Sequence, residues 1–507
     1  MREPEHFDVL IVGAGISGIG TACYLLRECP GKTFVLLEGR DDFGGTWDLF
    51  RYPGIRSDSD MHTLGYSFKP WEEAKAIADG PSIKRYLEET IEEHGVGPHI
   101  RYQHLVKSAS WSSETGRWTV HAERKDTGER ATLTCGFLSI CSGYYSYKQG
   151  YRPEIPGLER FRGPVVHPQE WPEDLDYAGK RVVVIGSGAT AMTLVPAMAA
   201  DAGHVTMLQR SPTYVVSYPD RDAIANALRK ILPARVAYAI TRTKNIWFQQ
   251  YMYRQTRTKP EKVKKKLLDR VRKELGRDYD VEKHFTPCYN PWDQRLCLVP
   301  NSDLFEAIRS GKASVVTDLI DTVTETGIRL RSGEELEADI LITATGLELV
   351  VLGEMVFTVD GEPVDFSRTW TYKGLMYSQV PNLMSTFGYI NASWTLRADL
   401  TAEYLCRLLG HLDATGTRVC TPRLRASDAD MPERPWIDDF SSGYMQRKMH
   451  LFPRQGDRAP WLNPQNYTRD KQLFREEPLD DGCMVFSNPV ARATSPTADE
   501  TVLQAVG

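Results

Sequence analysis

The sequence predicts an α/β protein with two Rossmann-like dinucleotide-binding domains, the second inserted in the first and carrying a helical insert. Three observations lead to this fold class. Residues 13–18 read G-x-G-x-x-G after an apolar run, and residues 186–191 read G-x-G-x-x-A after another. Two further apolar runs, residues 137–143 and 339–346, end in small residues and glycine. Such runs are typical of strands that return the chain from one domain to the other, although an ordinary buried strand is the alternative.

The composition is that of a large globular protein and excludes several functional classes. Of the 507 residues 41% are hydrophobic and 25% are charged, and the net charge of −5 gives no general case for binding nucleic acid or membrane. No apolar run approaches the roughly 18–20 residues that span a bilayer, and the chain starts without a signal-peptide pattern, so we expect a cytoplasmic protein. Nine cysteines match neither zinc nor redox spacings, which predicts free thiols and no metal site.

The first glycine loop joins a strand at residues 7–13 to a helix at residues 19–26. Gly13 permits the tight turn, Gly15 lets the backbone approach a pyrophosphate, and Gly18 allows the helix to pack closely on the strand. The helix N-terminus offers unpaired N–H groups and the positive end of its dipole to the phosphates. The loop therefore predicts a dinucleotide site.

Glu38 closes the strand after this loop, twenty residues beyond Gly18. A carboxylate there accepts a hydrogen bond from a ribose 2′-hydroxyl and repels a 2′-phosphate, so we expect the first site to take FAD or NAD rather than NADP. Residues 44–47, GGTW, follow without the C-x-x-x-x-C pair of disulfide reductases. Dithiol chemistry is therefore not expected. Asp58 follows on a Pro-Gly turn, where a turn cap is the alternative to a functional role.

The second glycine loop precedes a predicted helix at residues 190–200. The next strand, residues 205–208, ends in Gln209, Arg210 and Ser211 instead of an acid. A cation at this position turns repulsion of a 2′-phosphate into a charge-assisted hydrogen bond, which favours NADPH. A solvated surface arginine is the alternative. The strand after the first loop ends in a carboxylate, and the strand after the second ends beside a cation. This difference implies one FAD site and one NADPH site.

The predicted boundaries follow from the order of these motifs. The first part of the FAD-binding domain covers residues 1–145, the NADPH-binding domain residues 146–344, and the second part of the FAD-binding domain with the C-terminal region residues 345–490. Residues 222–285 form the helical insert of the NADPH-binding domain. Residues 491–507, rich in Ala, Thr, Ser and Pro, predict a disordered tail.

The helical insert is strongly basic, and its cations are interleaved with Trp247, Phe248, Tyr251 and Tyr253. This pattern is compatible with contact to an anionic membrane surface or to nucleic acid. We expect instead that the aromatic side chains face the core while the cations stay solvated. Nucleic acid is not an expected partner, no integral membrane segment is predicted, and contact with a membrane surface is the alternative kept for the insert.

A motif between the two glycine loops carries a family resemblance. Residues 161–172 read F-x-G-x-x-x-H-x-x-x-W-P, and they accompany GGTWDLFRYPGIRSDSD at residues 44–60, PWDQRLCLVP at residues 291–300 and ATG at residues 344–346. With the glycine loops, these motifs make the chain resemble the class B flavoprotein monooxygenases, and among them the type I Baeyer–Villiger monooxygenases of the ethionamide-activating type. The W-P ending favours this branch over the related flavin-containing monooxygenases, which usually end the motif with a smaller aromatic residue and no proline.

The resemblance implies a reaction in two stages. NADPH reduces FAD, O₂ adds at flavin C4a, and the deprotonated peroxide attacks a ketone to give an ester or lactone. The same oxidant can oxygenate a sulfide or thioamide sulfur. The alternatives are an N- or S-hydroxylating monooxygenase without ketone activity and a nucleotide-sensing scaffold without turnover.

The resemblance also assigns roles. Arg295 stabilises the peroxide and the tetrahedral (Criegee) intermediate, and Asp58 is its partner; a structural ion pair is the alternative. His167 is expected to bond backbone and couple the domains rather than to act as a base. Gln294 stands where several relatives have a lysine that reaches the 2′-phosphate, so NADPH preference would depend on Arg210.

The motifs and the resemblance together predict the residues that contact each cofactor. Predicted FAD contacts are Gly13, Gly15, Ser17, Gly18, Glu38, Gly45, Thr46, Trp47, Asp48, Asp58 and Val106. Predicted contacts to NADPH, with domain coupling, are Arg56, Ser57, Gly186, Ser187, Gly188, Ala189, Thr190, Gln209, Arg210 and His167. A helix beginning at residues 393–395 is expected to point its N-terminus at the flavin pyrimidine. The substrates are expected to be a small-molecule ketone or sulfide and O₂.

Overall fold

The computed structural model describes residues 3–489. The tail predicted at residues 491–507 lies outside the described residues. The strands, in chain order, are β1 (Glu5–Val12), β2 (Phe34–Leu37), β3 (Ile100–Arg101), β4 (His104–Ser112), β5 (Arg117–Arg124), β6 (Arg130–Ile140), β7 (Val165–Val166), β8 (Arg181–Ile185), β9 (His204–Gln209), β10 (Val215–Tyr218), β11 (Cys297–Pro300), β12 (Ala313–Thr317), β13 (Ile320–Thr324), β14 (Gly327–Leu330), β15 (Glu335–Glu337), β16 (Ile340–Thr343), β17 (Val356–Val359), β18 (Glu362–Pro363), β19 (Thr371–Tyr372), β20 (Met376–Tyr377), β21 (Leu383–Ser385), β22 (Val419–Pro422), β23 (Arg434–Pro435), β24 (Arg454–Gln455) and β25 (Met484–Ser487).

Helices pack around these strands. The α-helices are α1 (Ile16–Glu28), α2 (Thr46–Leu49), α3 (Met61–Leu64), α4 (Gly80–His94), α5 (Ala189–Met198), α6 (Ala223–Leu228), α7 (Ala234–Thr258), α8 (Pro260–Leu275), α9 (Val281–Phe285), α10 (Asp303–Arg309), α11 (Trp394–Thr415), α12 (Gly443–Gln446) and α13 (Tyr467–Arg475).

The first sheet combines strands from before and after the second sheet in the chain. Its order is β18-β17-β4-β5-β6-β1-β2-β3, and β21 also pairs with β6. Strands β1, β2 and β6 are parallel, and β1 and β2 read as the continuous apolar runs of a sheet covered on both faces. Helices α1 and α11 pack together in the core on one face of this sheet. A segment near residue 20 and a segment near residue 400 therefore build one core.

The second sheet is parallel throughout, in the order β12-β9-β8-β16-β7. Helix α5 follows β8, and its buried face packs on this sheet together with α10. The two sheets and their helices have the α/β architecture predicted from the two glycine loops.

Two strands carry the chain between the sheets, as the apolar runs predicted. Strand β6 ends beside β1, and β16 ends beside β8, so each leaves its sheet next to a glycine loop. Gly13 has φ +102°, and a Cβ there would lie 2.6 Å from the carbonyl oxygen of Cys141. Gly186 has φ +138°, and a Cβ there would collide with the carbonyl oxygen of Ala344. The two connections therefore pass both loops in the same way, at a distance that only glycine permits.

The helical insert consists of α6 to α9, and its aromatic side chains do not lie as predicted. Trp247, Phe248 and Tyr251 on α7 are exposed, which is contrary to the expectation that they face the core. Tyr253 is half-buried and meets Trp292 edge-on. The inner face of α7 is occupied by polar groups instead, including the buried Arg242. Within residues 3–489 no helix combines the length and the apolar character that crossing a bilayer requires.

Candidate functional site

The first glycine loop forms a cradle of bare backbone. A Cβ at Gly18 would collide with the carbonyl oxygen of Gly13, so the start of α1 lies directly on the turn. Gly45 approaches the same loop from the other side, and a Cβ on it would lie 3.1 Å from Cα of Gly15. Helix α1 has no side-chain cap and no acid in its first turn. Its N–H groups and dipole are therefore free for an anionic group such as a pyrophosphate.

Glu38 lies beside this cradle with its carboxylate bonded to backbone. Its Oε2 accepts from the Ala14 N–H at 2.8 Å and its Oε1 from the Arg40 N–H at 3.0 Å. Burial raises the pKa of Glu38, and these two N–H groups partly offset the increase. Val106 lies nearby on β4. It pairs with β5 on one side, but β17 pairs with the other side of β4 only from Ser108 onward, so the second backbone edge of Val106 is free. Both placements fit a nucleoside at the end of β2.

The predicted contacts at residues 45–48 separate into two kinds. The Thr46 hydroxyl lies 2.6 Å from the hydroxyl of Tyr145 on the first connection. The Asp48 carboxylate, in contrast, is buried between Arg40 Nη2 at 2.5 Å and Lys84 Nζ at 2.6 Å. These two cations hold the Asp48 side chain within the protein, and that pairing counts against the predicted contact of its side chain with FAD. Trp47 is half-buried beside them.

A second helix N-terminus meets the first. Helix α11 begins at Trp394, as the sequence predicted, and its indole Nε1 donates to Ser17 Oγ at 2.7 Å near the start of α1. The hydroxyl of Ser393, at the N-cap, pairs with Thr63 Oγ1 at 2.6 Å. The buried Asn391 Oδ1 has no partner within the described residues. Two positive helix ends and an unpaired acceptor therefore lie at one site, which suits a ligand that carries both negative charge and N–H donors.

The second glycine loop is more open. Nothing lies within 4 Å of a Cβ built on Gly188, and α5 begins there without a side-chain cap. Ser187 Oγ donates to the Ser211 carbonyl at 3.1 Å, which ties the loop to the end of β9. Arg210 directly precedes Ser211. Its side chain is exposed and has no ion-pair partner within residues 3–489. Its guanidinium is free to meet an anion beside the loop.

The side chain of Gln209 is engaged within the protein. Strand β9 continues through this residue, and its side chain is buried against β12. Gln209 Nε2 donates to Thr317 Oγ1 at 2.9 Å and to the His284 carbonyl at 2.8 Å. Its amide therefore holds two parts of the domain together, which counts against a contact with NADPH. Within the Gln-Arg-Ser sequence, the side chains of Arg210 and Ser211 are exposed at the end of the strand, and Arg210 is the cation of the three.

The turn that carries Arg56 and Ser57 joins the two domains. A Cβ on Gly54 in this turn would lie 2.6 Å from the Ala197 side chain of α5. Arg56 Nη1 donates to Asp303 Oδ2 at 2.5 Å, while its buried Nη2 has no partner in the described residues. The Ser57 hydroxyl is bonded within the turn, donating to the Ser59 carbonyl and accepting from its N–H. Arg56 keeps a donor for a ligand, whereas the side chain of Ser57 does not.

Arg295 and Asp58 come together between the domains, 237 residues apart in the chain. Arg295 donates to Asp58 Oδ2 from Nε at 2.9 Å and from Nη2 at 2.5 Å, and Nη1 donates to the Ile390 carbonyl at 3.3 Å. Their side chains are 33% and 34% exposed. Burial opposes the charge on Arg295, but Asp58 outweighs it and the pKa of Arg295 is raised. The guanidinium is thus permanently charged and still accessible.

The loop that presents Arg295 is held in an unusual conformation. Trp292 has φ +72°, a left-handed backbone that side chains rarely adopt. Asp293 stabilises the turn, since its Oδ2 accepts from the Asn290 N–H at 3.0 Å and its Oδ1 from Arg257 Nη1 of α7 at 2.7 Å. Directly after the loop, β11 pairs with β10. Helix α7 therefore fixes the position of Arg295.

An aromatic wall of Tyr144, Phe387, Trp394 and Trp436 lies beside this ion pair, and it was not predicted from the sequence. Tyr144 stacks on Trp394 with ring centroids 5.3 Å apart and lies 5.1 Å from the ring of Phe387. Phe387 in turn meets Trp436 at 4.4 Å. Tyr444 faces Tyr144 and Arg295, and desolvation raises the pKa of both tyrosines. The position of Tyr144 directly after the β6 run was the one available signal, whereas no local pattern marks Tyr444 or Trp436.

His167 holds the two connections between the domains together. Its Nδ1 accepts from the Gln169 N–H at 3.2 Å, so the proton resides on Nε2, which donates to the Gly346 carbonyl at 3.3 Å. A Cβ on Gly150 would overlap the imidazole ring. Gln169 Nε2 donates to the Ser146 carbonyl at 2.7 Å. The motif therefore contacts the first connection at residues 146 and 150 and the second at residue 346. Burial lowers the pKa of His167, which favours this neutral tautomer.

Comparison with known proteins gives consistent results. The sequence profile described as flavin-binding monooxygenase-like matches residues 7–364. The FAD-containing monooxygenase EthA of Mycobacterium tuberculosis is 53% identical over 484 residues, covering 95% of this chain and 98% of that protein. The putative FAD-containing monooxygenase MymA of the same organism is 52% identical over 487 residues, with coverages of 95% and 98%. The oxidized steroid monooxygenase bound to NADP shares the fold, with a TM-score of 0.76 at 22% identity over 95% of this chain and 100% of that one.

Proposed function

The chain belongs to the flavin-binding monooxygenase-like family, and from this premise we propose that it catalyses Baeyer–Villiger oxidation. It is a flavin-dependent monooxygenase that uses FAD and NADP(H). The proposed reaction inserts one oxygen atom of O₂ beside the carbonyl of a ketone and yields an ester or lactone. The single observation that carries the proposal is the ion pair of Arg295 and Asp58, which lies between the domains against an aromatic wall.

The described residues fit the two cofactors. The backbone cradle at Gly15 and Gly45, with the α1 N-terminus, would hold the pyrophosphate of FAD, and Glu38 would accept from its ribose. The open loop at Gly188 with the free guanidinium of Arg210 would hold the NADPH phosphates. Reduced flavin, when bound, supplies the electrons that activate O₂.

Arg295 performs the electrostatic part of the proposed reaction. Oxygen insertion places negative charge on the substrate carbonyl oxygen as its carbon becomes tetrahedral. A fixed guanidinium stabilises such charge without reorganising, and its raised pKa keeps it protonated at every working pH. Asp58 occupies one edge of the guanidinium and Ile390 accepts from Nη1, so these two groups fix the orientation of Arg295. We propose Asp58 as the group that positions Arg295.

The surroundings of Arg295 favour an apolar substrate. Tyr144, Phe387, Trp394 and Trp436 present aromatic surface, and Ile390 lies in the same cluster. Such walls bind alkyl or aryl groups through burial of apolar area and leave a small polar function for the arginine. Ketones with apolar substituents fit this description, and so do sulfides and thioamides, whose sulfur we propose as a second target.

The test is incubation of the purified protein with NADPH, O₂ and 2-octanone, with products separated by gas chromatography. The proposal expects an ester, and oxidation of thioanisole to the sulfoxide in a parallel reaction. Sulfoxide without any ester would favour the N- or S-hydroxylating alternative. Protein that is colourless and cannot be loaded with FAD would instead favour a scaffold without turnover.

A further inference from the structure

Exposed apolar side chains are concentrated on α6 and α7. Among the described residues thirteen large hydrophobic side chains are exposed, and seven of them fall between residues 224 and 251. The most exposed are Ile231, at 76%, and Trp247, at 65%. The other five are Ile224, Val236, Ile240, Phe248 and Tyr251. A helix in a water-soluble protein normally turns such residues inward, so this face requires an explanation.

The exposed residues of α7 form one stripe. Val236, Ile240, Trp247 and Tyr251 are spaced by four, seven and four residues, which places them on a single face of a helix with 3.6 residues per turn. The rings of Trp247 and Tyr251 stack at 5.4 Å with an interplanar angle of 9°. We name this stripe, with Ile224 and Ile231 at its N-terminal end, the α6–α7 face. The opposite side of α7 is already occupied by the polar contacts that hold the catalytic loops.

The segment that carries the α6–α7 face is rich in lysine and arginine. Fifteen lysines and arginines accompany only three acidic residues between residues 230 and 277, although the whole chain has a net charge of −5. Lys230, Arg235 and Arg254 are exposed next to the stripe in sequence, and no carboxylate of residues 3–489 pairs with them. The apolar stripe is therefore accompanied by cations that are not neutralised by the protein.

We propose that the α6–α7 face docks on an anionic membrane surface, an interaction that goes beyond the proposed oxygenation. Apolar and aromatic side chains on one face with lysine and arginine around them are the two features that interfacial helices combine. The aliphatic side chains of the face form neither hydrogen bonds nor stacking contacts with nucleic-acid bases; they are Ile224, Ile231, Val236 and Ile240. The rings of Trp247 and Tyr251 stack on each other, so one face of each ring is not available to a base. A second copy of this chain would bring two strongly basic segments together, which repel.

Docking through α7 would also place the membrane close to the site. The inner face of α7 donates from Gln249 Nε2 to Asp60 Oδ2 at 3.0 Å, two residues from Asp58, and from Arg257 to Asp293, two residues from Arg295. The helix thus contacts both catalytic loops from behind. An apolar substrate dissolved in the bilayer would be concentrated beside the enzyme by this arrangement.

The test is co-sedimentation of the FAD-loaded protein with vesicles of phosphatidylcholine containing 30% phosphatidylglycerol, compared with pure phosphatidylcholine. We expect binding to the anionic vesicles that falls by at least tenfold on pure phosphatidylcholine or at high salt, because each basic residue near such a surface contributes roughly 1 kcal/mol. W247Q/Y251Q is expected to lower binding to anionic vesicles by a similar factor. K230Q/R235Q/R254Q is expected to do the same, while NADPH oxidation with a water-soluble substrate is unchanged for both variants.

Matched variants elsewhere on the surface are the controls. L319Q/V356Q removes two other exposed apolar residues, and R117Q/K125Q/K312Q removes three exposed cations outside the insert. Equal losses in test and control variants would overturn the proposal, as would the absence of vesicle binding. It would also be overturned if Trp247 and Tyr251 controlled binding of a fluorescent single-stranded oligonucleotide, or a dimer seen by analytical ultracentrifugation, and not binding to vesicles.

Discussion

Glu38 and Arg210 occupy matching positions in the two dinucleotide sites and have opposite environments. Glu38 is buried and bonded to two backbone N–H groups, whereas Arg210 is exposed and unpaired within the described residues. The carboxylate is therefore set in place before any ligand binds, and the arginine must be ordered by its ligand. Under the proposed assignment, selection against a 2′-phosphate at the first site is set by a fixed carboxylate, and selection for one at the second depends on one exposed side chain.

Arg210→Ala tests that dependence. The KM for NADPH should rise by at least tenfold, because a charge-assisted hydrogen bond to the 2′-phosphate is lost, while the KM for NADH should change little. Steady-state kinetics with both coenzymes provide the measurement. Arg331→Ala, another exposed and unpaired arginine of the same domain, serves as control and should leave both values unchanged. Equal increases for NADPH and NADH would remove Arg210 from recognition of the phosphate.

Arg295→Ala separates reduction from oxygenation. NADPH should still reduce the flavin, because Arg295 is not part of either glycine loop. Ester formation should fall by at least a hundredfold, the range found when a preorganised donor is removed, with H₂O₂ released in its place. Product analysis and a peroxide assay measure both outcomes. Arg309→Ala removes a similar arginine–carboxylate pair away from the site and should retain activity. Ester yield that survives in Arg295→Ala would show that this cation does not stabilise the reaction.

Among the elements, the linking motif at residues 161–172 has the clearest mechanical role. His167 bonds the second connection, Gln169 bonds the first, and Gly150 leaves room for the imidazole. Neither side chain contacts the glycine loops or Arg295 in the hydrogen-bonding network of the described residues. We therefore propose that the motif acts on the relative position of the two domains and not on the reacting atoms.

The coupling of NADPH oxidation to product should depend on the protonation of His167. The bond from the Gln169 N–H requires an unprotonated Nδ1, and burial holds the folded-state pKa below 6.5. The contribution of His167 to stability is therefore present above pH 6.5 and is lost as pH falls through the lowered pKa. Ester formed per NADPH consumed should decline in that range for the parent protein.

His167→Ala should show the low ratio of ester to NADPH at every pH, with flavin reduction retained. His204→Ala is the matched control, since His204 also bonds a backbone carbonyl but lies at the opposite end of the second sheet. A coupling ratio in His167→Ala that still follows the parent's pH profile would assign the titration to another group.

The elements built on local pattern were predictable, and those built on tertiary contact were not. Glycine spacing and apolar runs gave both loops, both connections and the start of α11, because backbone sterics dictate them locally. Nothing local to Gln209 or Asp48 reveals that Thr317 or Lys84 satisfies their side chains. The exposure of Trp247, Phe248 and Tyr251 was not predicted for the same reason. The inner face of α7 forms hydrogen bonds to loops that are distant in the sequence, and no local pattern reveals them.

At the scale of the whole molecule, one buried ion pair joins the insert to the FAD-binding core. Arg242 of α7 donates to Asp399 of α11 at 3.0 Å and also to the carbonyls of His62, Thr63 and Gly65. Both side chains are less than 10% exposed. Burial raises the pKa of Asp399 from 3.8 to about 6, with Arg242 offsetting part of the increase. The pair fixes α7 against the core, and with it the loops that carry Asp58 and Arg295.

Arg242→Met should therefore destabilise the protein in a pH-dependent way. Leaving Asp399 buried without its cation costs about 3–5 kcal/mol when the carboxylate is charged. Asp399 already binds its proton more tightly in the folded state, so its contribution to stability falls as pH rises through about 6, and removal of Arg242 raises its pKa further. The loss in free energy of unfolding should accordingly be larger at pH 8 than at pH 5, as measured by urea unfolding at saturating FAD.

Arg181→Met, which breaks the exposed pair with Asp339, should cost less than about 1 kcal/mol. Adding Asp399→Leu to Arg242→Met should remove the pH dependence, while the cost of leaving the carbonyls of His62, Thr63 and Gly65 without a donor remains. An equal loss of stability at both pH values in Arg242→Met alone would mean that Asp399 carries no charge in the folded protein.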